Sequence, residues 1–447
     1  MISNIKGITW PPVLAGENAT LAALVAELRS TQYMPPDQLR MMQDAQLAEV
    51  IKHHAENTPS FSKRLRDQGL DTSTISTVDG LKKFAPINKS YIQRTGSGFF
   101  CEAVPKHHGV VGKAQTSGST GEPITVMRTA INQLFWEAFA FRDHEWNNRD
   151  YGNRLFAIRA NIWQTVSLPV WGLPVSKLHA TGPAMGMNVG ESVENLMAEL
   201  RDFQPNILVC HAGVMTAMVG EWERNGLDLT DLRHIKNIGD TVGDDLRDRV
   251  RKLTGMEIED NYSSSETGCI AIQCPEGGQY HVVAESLVVE ILDDAGEPCK
   301  PGEIGRVVIT DLHNTASPVI RYDLGDYAEV GTTCGCGRTL PTLRRVIGRE
   351  RNLFMRPDGT RFYPRAGMYE LPGIMPIRQW QIIQHAIDHV EYRLVTDSDL
   401  TDEHIAAITR VAHDKLQYQP RITVTTFKDR IPVGKGGKFE EAICLIR

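Results

Sequence analysis

Apolar positions along the 447-residue chain follow three successive patterns. From residue 18 to residue 56 they recur every three or four positions, with breaks at Pro36 and Pro59, which predicts amphipathic helices. From residue 154 to residue 262, short apolar runs alternate with helical patterns such as "GESVENLMAELRDF" and "GDDLRDRVRKLTG". This alternation predicts a parallel sheet with helices on its faces. The predicted strands are residues 154–160, 206–210, 234–239 and 256–262.

From about residue 280 apolar and polar residues alternate on both sides of the turn-rich "DDAGEPCKPGEIG", which predicts an antiparallel hairpin in a β-rich subdomain, about 275–345. Residues 349–447 contain the strand patterns "VEYRLVT" and "RITVTTF" and the helical pattern "TDEHIAAITRVAHDKLQ". The predicted fold class is therefore α/β. A large N-terminal domain, residues 1–348, carries parallel sheets flanked by helices and the β-rich subdomain. A small mobile α+β domain, 349–447, follows it.

Composition excludes several classes of protein. With 41% hydrophobic and 23% charged residues the chain reads as an ordinary globular protein, and its net charge of -7 argues against a broad basic surface for nucleic acid. No apolar run reaches the roughly 18 residues of a spanning helix, and the N-terminus lacks the pattern of a signal peptide. Eight cysteines are sparse for this length, so a reducing cytoplasm is the expected location, with no membrane and no nucleic-acid partner.

The stretch "TSGSTGEP" is a candidate phosphate loop. Gly118 and Gly121 permit close approach of the backbone, and the hydroxyl side chains between them donate hydrogen bonds. The loop lacks the lysine of the G-x-x-x-x-G-K-[ST] phosphate loop. A polar surface loop is the common alternative, but the strand-like "ITVMRT" that follows favours a phosphate-binding role.

Three more stretches suggest parts of a nucleotide site. "DNYSSSETG" follows an apolar strand, where open α/β sheets bind ligands, and offers the Tyr262 ring to a base and the Glu266 carboxylate to Mg²⁺. "VIRYDLGDYAEV" places Asp326 after a tight glycine turn, so its carboxylate can accept two hydrogen bonds from a ribose diol. The glycine-rich ending "RIPVGKGGKFEEAI" carries Lys435 and Lys438. Each stretch taken alone also fits an ordinary turn or a solvated tail.

Taken in order, these motifs resemble the adenylate-forming enzymes: acyl-CoA synthetases, luciferases and peptide-synthetase adenylation domains. The resemblance is nearest to the phenylacetate–CoA ligase-like branch. "TSGSTGEP" matches T-S-G-[ST]-T-G-x-P, "YSSSE" stands at Y-G-x-T-E, and "RYDLGD" resembles Y-R-T-G-D. "GRER" resembles the G-R-x-D hinge, and "PVGKGGK" matches P-x-x-x-x-G-K.

This resemblance implies an AMP-forming carboxylate–CoA ligase, an acid–thiol ligase that uses ATP, Mg²⁺ and coenzyme A. A small carboxylic acid, in this branch an aromatic one, reacts with ATP to give an acyl-adenylate and pyrophosphate, and coenzyme A then takes the acyl group. AMP is a better leaving group than oxide, so orientation and charge stabilisation carry most of the catalysis.

The resemblance also implies roles for single residues. Lys438 would bridge the carboxylate and the α-phosphate during adenylation, Glu266 would ligate Mg²⁺, and Asp326 would bind the ribose hydroxyls. The other implied residues are Thr116, Ser117, Gly118, Ser119, Thr120 and Gly121 at the β- and γ-phosphates, Asp260, Asn261 and Tyr262 at the adenine, Gly239 and Asp240 between the nucleotide and acyl pockets, and Arg349 near the nucleotide.

Two positions depart from the family pattern. The implied hinge residue is Arg351, where most members have Asp or Lys, and Ser263 replaces the glycine of Y-G-x-T-E beside the acyl pocket. The acid pocket is expected near residues 160–165, 208–216 and 238–241, where Trp163 and His211 are candidate substrate-binding side chains.

The spacing of four residues suggests a metal site. Cys274 and His281 are seven residues apart, and Cys334 and Cys336 are two apart. Three thiolates and an imidazole suit tetrahedral Zn²⁺, although buried inert cysteines are the alternative. The resemblance favours a structural metal, because some phenylacetate–CoA ligase-like proteins carry one at a similar arrangement. The remaining cysteines show no grouping and are predicted to be ordinary: Cys101, Cys210, Cys269, Cys299 and Cys444.

Two alternative functions stay open. The activated acyl group could pass to an amine or another nucleophile instead of coenzyme A. The chain could also be a nucleotide-binding homologue without catalysis, although Glu266, Asp326 and Lys438 argue against that. The sequence leaves open which acid is activated, the pathway and the oligomeric state, a homodimer included.

Overall fold

The computed structural model describes residues 14–115, 123–349, 352–362, 364, 371–396, 398–428, 430–432 and 441–446. The described chain divides into two compact units. The first unit comprises the described parts of Met1–Gly152, Val170–Gly182 and Asn261–Val346, and the second comprises those of Asn153–Pro169, Pro183–Asp260 and Ile347–Arg447. No described helix is both long and apolar enough to cross a membrane.

The α-helices of the described chain are α1 (Gly16–Thr31), α2 (Pro36–Asn57), α3 (Pro59–Asp67), α4 (Thr72–Ile75), α5 (Lys89–Thr95), α6 (Ala130–Trp146), α7 (Val193–Phe203), α8 (Ala212–Asn225), α9 (Asp244–Thr254), α10 (Leu371–Ile374) and α11 (Asp402–Leu416). The predicted helices between residues 18 and 56 and in the α7 and α9 regions are confirmed. Pro36 and Pro59 occupy first-turn positions of α2 and α3, where a missing N–H costs nothing.

The strands are β1 (Gly112–Gln115), β2 (Thr125–Arg128), β3 (Leu155–Arg159), β4 (Val166–Leu168), β5 (Ala184–Asn188), β6 (Ile207–Cys210), β7 (His234–Asn237), β8 (Ile258–Glu259), β9 (Asn261–Ser264), β10 (Gly268–Gln273), β11 (Tyr280–Val282), β12 (Leu287–Leu292), β13 (Ile304–Asp311), β14 (Tyr322–Val330), β15 (Thr342–Arg349), β16 (Phe354–Met355), β17 (Arg361–Phe362), β18 (Gln379–Ala386), β19 (His389–Val395), β20 (Arg421–Phe427) and β21 (Ala442–Cys444). Together with the helices they confirm the α/β fold class.

The first unit is built on a seven-stranded sheet, in the order β12-β13-β14-β15-β11-β10-β9. The predicted hairpin is confirmed, because β12 and β13 pair antiparallel from Leu287↔Asp311 to Leu292↔Arg306. Helix α6 packs on β10 and on α1, and its Phe141 belongs to the core cluster that also contains Ile272 and Tyr322. The short β1–β2 ribbon flanks residues 116–122, which lie outside the described residues.

The second unit holds a six-stranded sheet, in the order β4-β5-β3-β6-β7-β8, that is parallel apart from β4. Strands β3, β6 and β7 confirm three of the predicted strands. The predicted strand 256–262 is corrected. It breaks at Asp260, so that β8 joins the parallel sheet and β9 pairs antiparallel with β10 in the seven-stranded sheet. The break comes where the Asp260 carboxylate is hydrogen-bonded by other side chains of its own unit.

The C-terminal part of the second unit forms a four-stranded sheet, in the order β20-β19-β18-β21, with α11 in the same hydrophobic cluster. The strand patterns "VEYRLVT" and "RITVTTF" correspond to β19 and β20, and the helical pattern to α11, whose start is fixed by a capping box of Thr401 and His404. These three elements are confirmed. The domain boundary at residues 348 and 349, and the mobility of the small domain, stay predictions.

Candidate functional site

Glu266 lies in the turn that joins β9 to β10. The Ser264 hydroxyl accepts a hydrogen bond from the Thr267 amide at 3.2 Å, which closes this turn locally. The Glu266 side chain is only 5% exposed, and the Tyr322 hydroxyl donates to its Oε1 at 3.1 Å. Among the described residues no side chain donates to Oε2. A buried carboxylate with one oxygen held by a neutral donor fits a single protein ligand for Mg²⁺, which keeps waters and phosphate oxygens as its other ligands.

The backbone of this turn is held by Arg128, the last residue of β2. The guanidinium Nη2 donates to the Ser265 carbonyl at 2.7 Å and Nε donates to the Glu266 carbonyl at 3.3 Å. Burial lowers the pKa of Arg128, while the nearby carboxylates of Asp311 and Glu266 oppose that change. The guanidinium thus fixes two consecutive carbonyls and adds positive charge beside the candidate metal ligand.

Strand β2 is itself held by residues 311–317, here called the 311–317 loop. The Asn314 side chain donates to the Met127 carbonyl at 3.1 Å, and the Ser317 hydroxyl accepts from the Met127 amide at 3.0 Å. The Asp311 carboxylate stabilises the loop by accepting from the amides of residues 313 and 314 at 2.9 and 3.0 Å. Burial raises the pKa of Asp311 to about 6, although these amide hydrogen bonds and Arg128 favour its charged form.

Helix α2 supports the same loop through His54. Its Nε2 lies 2.8 Å from the Asn314 carbonyl oxygen and its Nδ1 lies 2.9 Å from the Thr58 hydroxyl. Because a carbonyl only accepts, Nε2 carries the proton and Nδ1 accepts from Thr58. Burial lowers the pKa of His54 to about 3, so the imidazole is neutral at physiological pH.

Asp326 is paired with Tyr262, whose hydroxyl donates to its Oδ2 at 2.8 Å. Both side chains are 7% exposed, and the Tyr262 ring is part of the core of the first unit. The predicted glycine turn before Asp326 is corrected: the segment lies inside β14, at a bulge between the pairs Arg306↔Tyr327 and Val308↔Asp323. Gly325 provides the positive φ of +71° at this bulge, which re-aims Asp326 without ending the strand.

In the second unit, residues after β7 and β8 meet at the carboxyl edge of the parallel sheet. The Asn237 amide donates to Asp260 Oδ1 at 2.8 Å and to the Asp240 carbonyl at 2.6 Å, and Arg247 donates to Asp260 Oδ2 at 3.0 Å. The Asp260 carboxylate therefore locks the sheet edge, and a contact between this residue and an adenine would come from its backbone.

His211 and Asp240 face each other at the same edge, with His211 Nδ1 3.5 Å from Asp240 Oδ2. Gly239 lies against the imidazole with φ +76°, and a Cβ at this position would be 3.0 Å from His211 Cε1. The structure thus brings together the Gly239, Asp240 and His211 of the sequence predictions. It does not place Trp163 with them as a pocket wall, because that side chain is 90% exposed.

The remaining predicted residues have varied surroundings. Asn261 begins β9, Ser263 is exposed on the same strand, and Arg349 ends β15 with an exposed side chain. The predicted phosphate loop (Thr116, Ser117, Gly118, Ser119, Thr120 and Gly121), the hinge residue Arg351, and Lys435 and Lys438 lie outside the described residues.

The four predicted zinc ligands converge in the first unit. The ligand atoms of Cys274, His281, Cys334 and Cys336 all lie within 4.8 Å of one another. Cys274 Sγ and Cys334 Sγ are 3.8 Å apart, and Cys336 Sγ is 3.3 Å from His281 Nε2. Tetrahedral Zn²⁺ with its usual bond lengths separates its ligand atoms by about 3.5–3.8 Å, so the cluster has the size that this ion requires.

The surroundings of this cluster favour thiolates. The Gly277 amide and the Arg338 guanidinium donate to Cys274 Sγ at 3.4 and 3.7 Å. His281 Nδ1 lies 3.3 Å from the Leu340 carbonyl, which turns Nε2 towards the sulfur atoms. A Cβ at Gly277 would collide with Cys334 Sγ, so the backbone approaches the cluster as closely as a glycine allows.

Sequence reasoning missed the side chains that support Glu266. Tyr322 stands inside the quoted "RYDLGD", and Arg128 stands inside "ITVMRT", yet neither was assigned a role. A cation that ends the strand after a phosphate loop is the one signal that pointed to Arg128. Asn314 carries no recognisable motif, since its role depends on contacts with distant residues.

Comparison with known proteins agrees with this geometry. The model of a family described as AMP-binding enzyme matches residues 21–316, well over half of the chain. Phenylacetate-coenzyme A ligase of Thermus thermophilus is 24% identical over 92% of this chain and 98% of its own length, and Protein CapK of Staphylococcus aureus is 21% identical over 90% and 88%. The solved structure of 2-hydroxyisobutyryl-CoA ligase in the postadenylation state, in complex with R3-HIB-AMP, has a TM-score of 0.73 at 16% identity and covers 99% of this chain and 97% of its own.

Proposed function

Because the chain belongs to the family of AMP-binding enzymes, we propose that it activates a carboxylic acid with ATP and transfers the acyl group to coenzyme A. The resemblance to adenylate-forming enzymes of the phenylacetate–CoA ligase-like branch is confirmed by this membership and by the full-length relatives. The observation that carries the proposal is the pair of oriented carboxylates in the first unit. Tyr322 holds Glu266 and Tyr262 holds Asp326, at the two positions where the family motifs place the metal ligand and the ribose ligand.

The reaction has two steps that balance without a covalent enzyme intermediate. A carboxylate oxygen of the acid attacks the α-phosphorus of ATP, and pyrophosphate leaves. The sulfur of coenzyme A, as the thiolate, then attacks the acyl carbonyl carbon, and AMP leaves with the electron pair of the broken acyl–oxygen bond. The protein contributes orientation and positive charge.

The chain's own residues have separate tasks in the first step. When bound, Mg²⁺ neutralises phosphate charge, and Glu266 is the residue that would hold it. Asp326 would accept hydrogen bonds from the ribose hydroxyls, and Lys438 would contact the acid and the α-phosphate. Residues 116–121 would surround the terminal phosphates, and a rotation near Arg351 would exchange Lys438 for the acceptor site between the steps.

We assign an aromatic acid as the substrate class, because the full-length relative from Thermus thermophilus and a second from Pseudomonas putida are phenylacetate-coenzyme A ligases. His211 and Asp240 are the side chains of the sheet edge that would meet a polar group on that acid. Exchange of labelled pyrophosphate into ATP tests the activation step. Exchange that depends on an aryl or arylacetic acid supports the proposal, and no exchange with a broad panel of aromatic and aliphatic acids contradicts it.

The acceptor is tested separately. If coenzyme A is the acceptor, it accelerates AMP release in the presence of the acid, and a thioester accumulates in equal amount. AMP release that responds to an amine but not to coenzyme A would assign the chain to amide formation instead.

We also propose that Cys274, His281, Cys334 and Cys336 hold a structural Zn²⁺. All four protein ligands are present, so no coordination position is open for chemistry, and the ion would clamp the loops that follow β10 and β14. No described cysteine forms a disulfide, which fits a reducing cytoplasm as the place of action. Elemental analysis of protein purified without added zinc should find one zinc per chain, and its absence contradicts the site.

A further inference from the structure

We propose that Arg128 is a positioning residue for the metal ligand Glu266. The inference rests on the proposed function, since it takes Glu266 to be the ligand of a nucleotide-bound Mg²⁺. Its starting point is the double hydrogen bond from one guanidinium to the Ser265 and Glu266 carbonyls. This bond joins the strand that leaves the candidate phosphate loop to the turn that carries the metal ligand.

The hydrogen bonds of Arg128 determine the backbone of the turn. A guanidinium is a planar fork, so two donors on adjacent edges define both the distance and the orientation of the two carbonyls that accept from them. Ser264 and Thr267 close the turn only across its ends. Without Arg128, the central peptide of the turn would lose its two hydrogen bonds to the rest of the unit, and the Glu266 side chain would lose its fixed starting point.

The support on which Arg128 rests is rigid. The preceding residue, Met127, is bound through both its amide and its carbonyl, by Ser317 and Asn314. The loop that provides those two side chains is closed by Asp311 and held from behind by His54. An arginine at the end of a strand that is fixed in this way can transmit a defined position to Glu266.

The space around the guanidinium is also restricted. Gly268, two residues after Glu266, has φ +83°, and a Cβ there would lie 3.3 Å from Trp136 Cδ1 and 3.8 Å from Arg128 Nη2. Trp136 and Arg128 thus line the same side of the turn. A lysine at position 128 would keep the charge, but its single ammonium lacks the fork that matches two consecutive carbonyls.

The test measures how much Mg²⁺ strengthens ATP binding. The ratio of the ATP dissociation constants in EDTA and in Mg²⁺, from calorimetry on the full chain, is the Mg²⁺ gain. Residues that orient a metal ligand typically change metal affinity 10- to 100-fold. We expect Arg128→Gln to lower the gain by about tenfold or more with little change in EDTA, and Arg128→Lys to recover only part of it.

A double-mutant cycle identifies the route. Because Arg128 acts through Glu266, Arg128→Gln should add little to the loss already caused by Glu266→Gln. The control is Arg154→Gln in the second unit, since Arg154 also donates from Nε to a carbonyl, that of Gln204 at 2.7 Å. This control should keep the wild-type gain. Thermal melting verifies that each variant is folded, and Arg128→Lys replaces Arg128→Gln if the latter does not fold.

The outcomes separate this inference from the proposed function. An unchanged Mg²⁺ gain in a folded Arg128 variant, full recovery by Arg128→Lys, or additive losses in the cycle would overturn the positioning role. ATP binding with a Mg²⁺ gain but without acid-dependent pyrophosphate exchange would overturn only the proposed function. Wild-type protein that does not bind ATP would overturn both.

Discussion

Glu266 lies in a three-residue turn, and side chains from other elements determine its position. Arg128 from β2 holds its carbonyl and Tyr322 from β14 holds its carboxylate. Neither interaction is local in sequence, since 138 residues separate Arg128 from Glu266 and 56 separate Glu266 from Tyr322. At this scale the sequence motifs identify the ligand, and long-range contacts supply its geometry.

Removing the Tyr322 hydroxyl tests the orientation of the carboxylate. Tyr322→Phe keeps the ring in the core but removes the donor to Glu266 Oε1, so the carboxylate can rotate. We expect kcat for adenylation to fall about tenfold and the Mg²⁺ concentration for half-maximal rate to rise. Tyr91→Phe, whose hydroxyl lies 3.5 Å from the Ser60 carbonyl, is the matched control. Equal Mg²⁺ dependence in both variants would refute the role of Tyr322.

His54 gives a pH dependence of stability. Burial lowers its pKa from 6.5 to about 3, so the folded state keeps it neutral while the unfolded state protonates it below pH 6.5. Stability is therefore complete above about pH 6.5 and is lost as the pH falls towards 3. Linkage gives a loss of about 2 kcal/mol between pH 7 and pH 5.

Urea unfolding of wild type and His54→Gln at the two pH values measures this loss. Glutamine also donates to a carbonyl and accepts from a hydroxyl, but it does not titrate. We expect the wild type to lose about 2 kcal/mol more than the variant on acidification. An identical pH dependence of the two proteins would show that His54 does not titrate as its burial implies.

The residues of the site could be read from the sequence only where a motif carries them. Glu266 and Asp326 stand in such motifs, and the structure holds both carboxylates by hydrogen bonds from tyrosines. Asp260 differs, because its carboxylate is bound to Asn237 and Arg247. The sequence pattern cannot show this, since side chains that consume a carboxylate come from separate elements.

At the scale of elements, periodicity predicted the interiors of strands and helices but not the irregular places. An apolar run such as 256–262 contains no signal that one strand ends and another begins, because both strands have buried residues. The bulge in β14 has a glycine signal, but Gly325 fits a turn as well as a bulge. The site residues Asp260 and Asp326 stand at these two irregular places.

The Cys/His cluster joins the loops that follow β10 and β14, so its removal should loosen the sheet edge formed by β11 and β15. We expect Cys334→Ser, or chelation of the metal, to lower the free energy of unfolding by at least about 2 kcal/mol. Thermal melting with and without chelator measures the effect, and Cys299→Ser serves as the control. A chelator-insensitive wild type, or equal melting of the two variants, would contradict a structural metal.

At the scale of the whole molecule, the chain separates the two sources of positive charge. Arg128 and the metal ligand Glu266 belong to one unit, whereas Lys438 belongs to the C-terminal residues. A phosphate loop without lysine then makes sense, because the charge for the reacting phosphate comes from a segment that the family moves between the two steps. The domain boundary at 348 and 349 is part of this proposal.

Lys438→Ala tests that division of tasks. It should lower acid-dependent pyrophosphate exchange by about 100-fold or more, while the dissociation constant of ATP changes only a few-fold because the metal and ribose contacts remain. Lys435→Ala, three residues away in the same glycine-rich stretch, should stay close to wild type. Equal effects of the two substitutions would show that charge in this stretch, and not the position of Lys438, is what matters.

The central claim is that the chain forms an acyl-adenylate. The most direct measurement is mass spectrometry of the products after incubation with ATP, Mg²⁺ and a mixed panel of carboxylic acids, first without and then with coenzyme A. We expect one aromatic acyl-AMP, accompanied by an equal amount of pyrophosphate, which is converted to the thioester and AMP when coenzyme A is added. ATP that stays intact with every acid, or that is hydrolysed without an acyl-adenylate, would contradict the account.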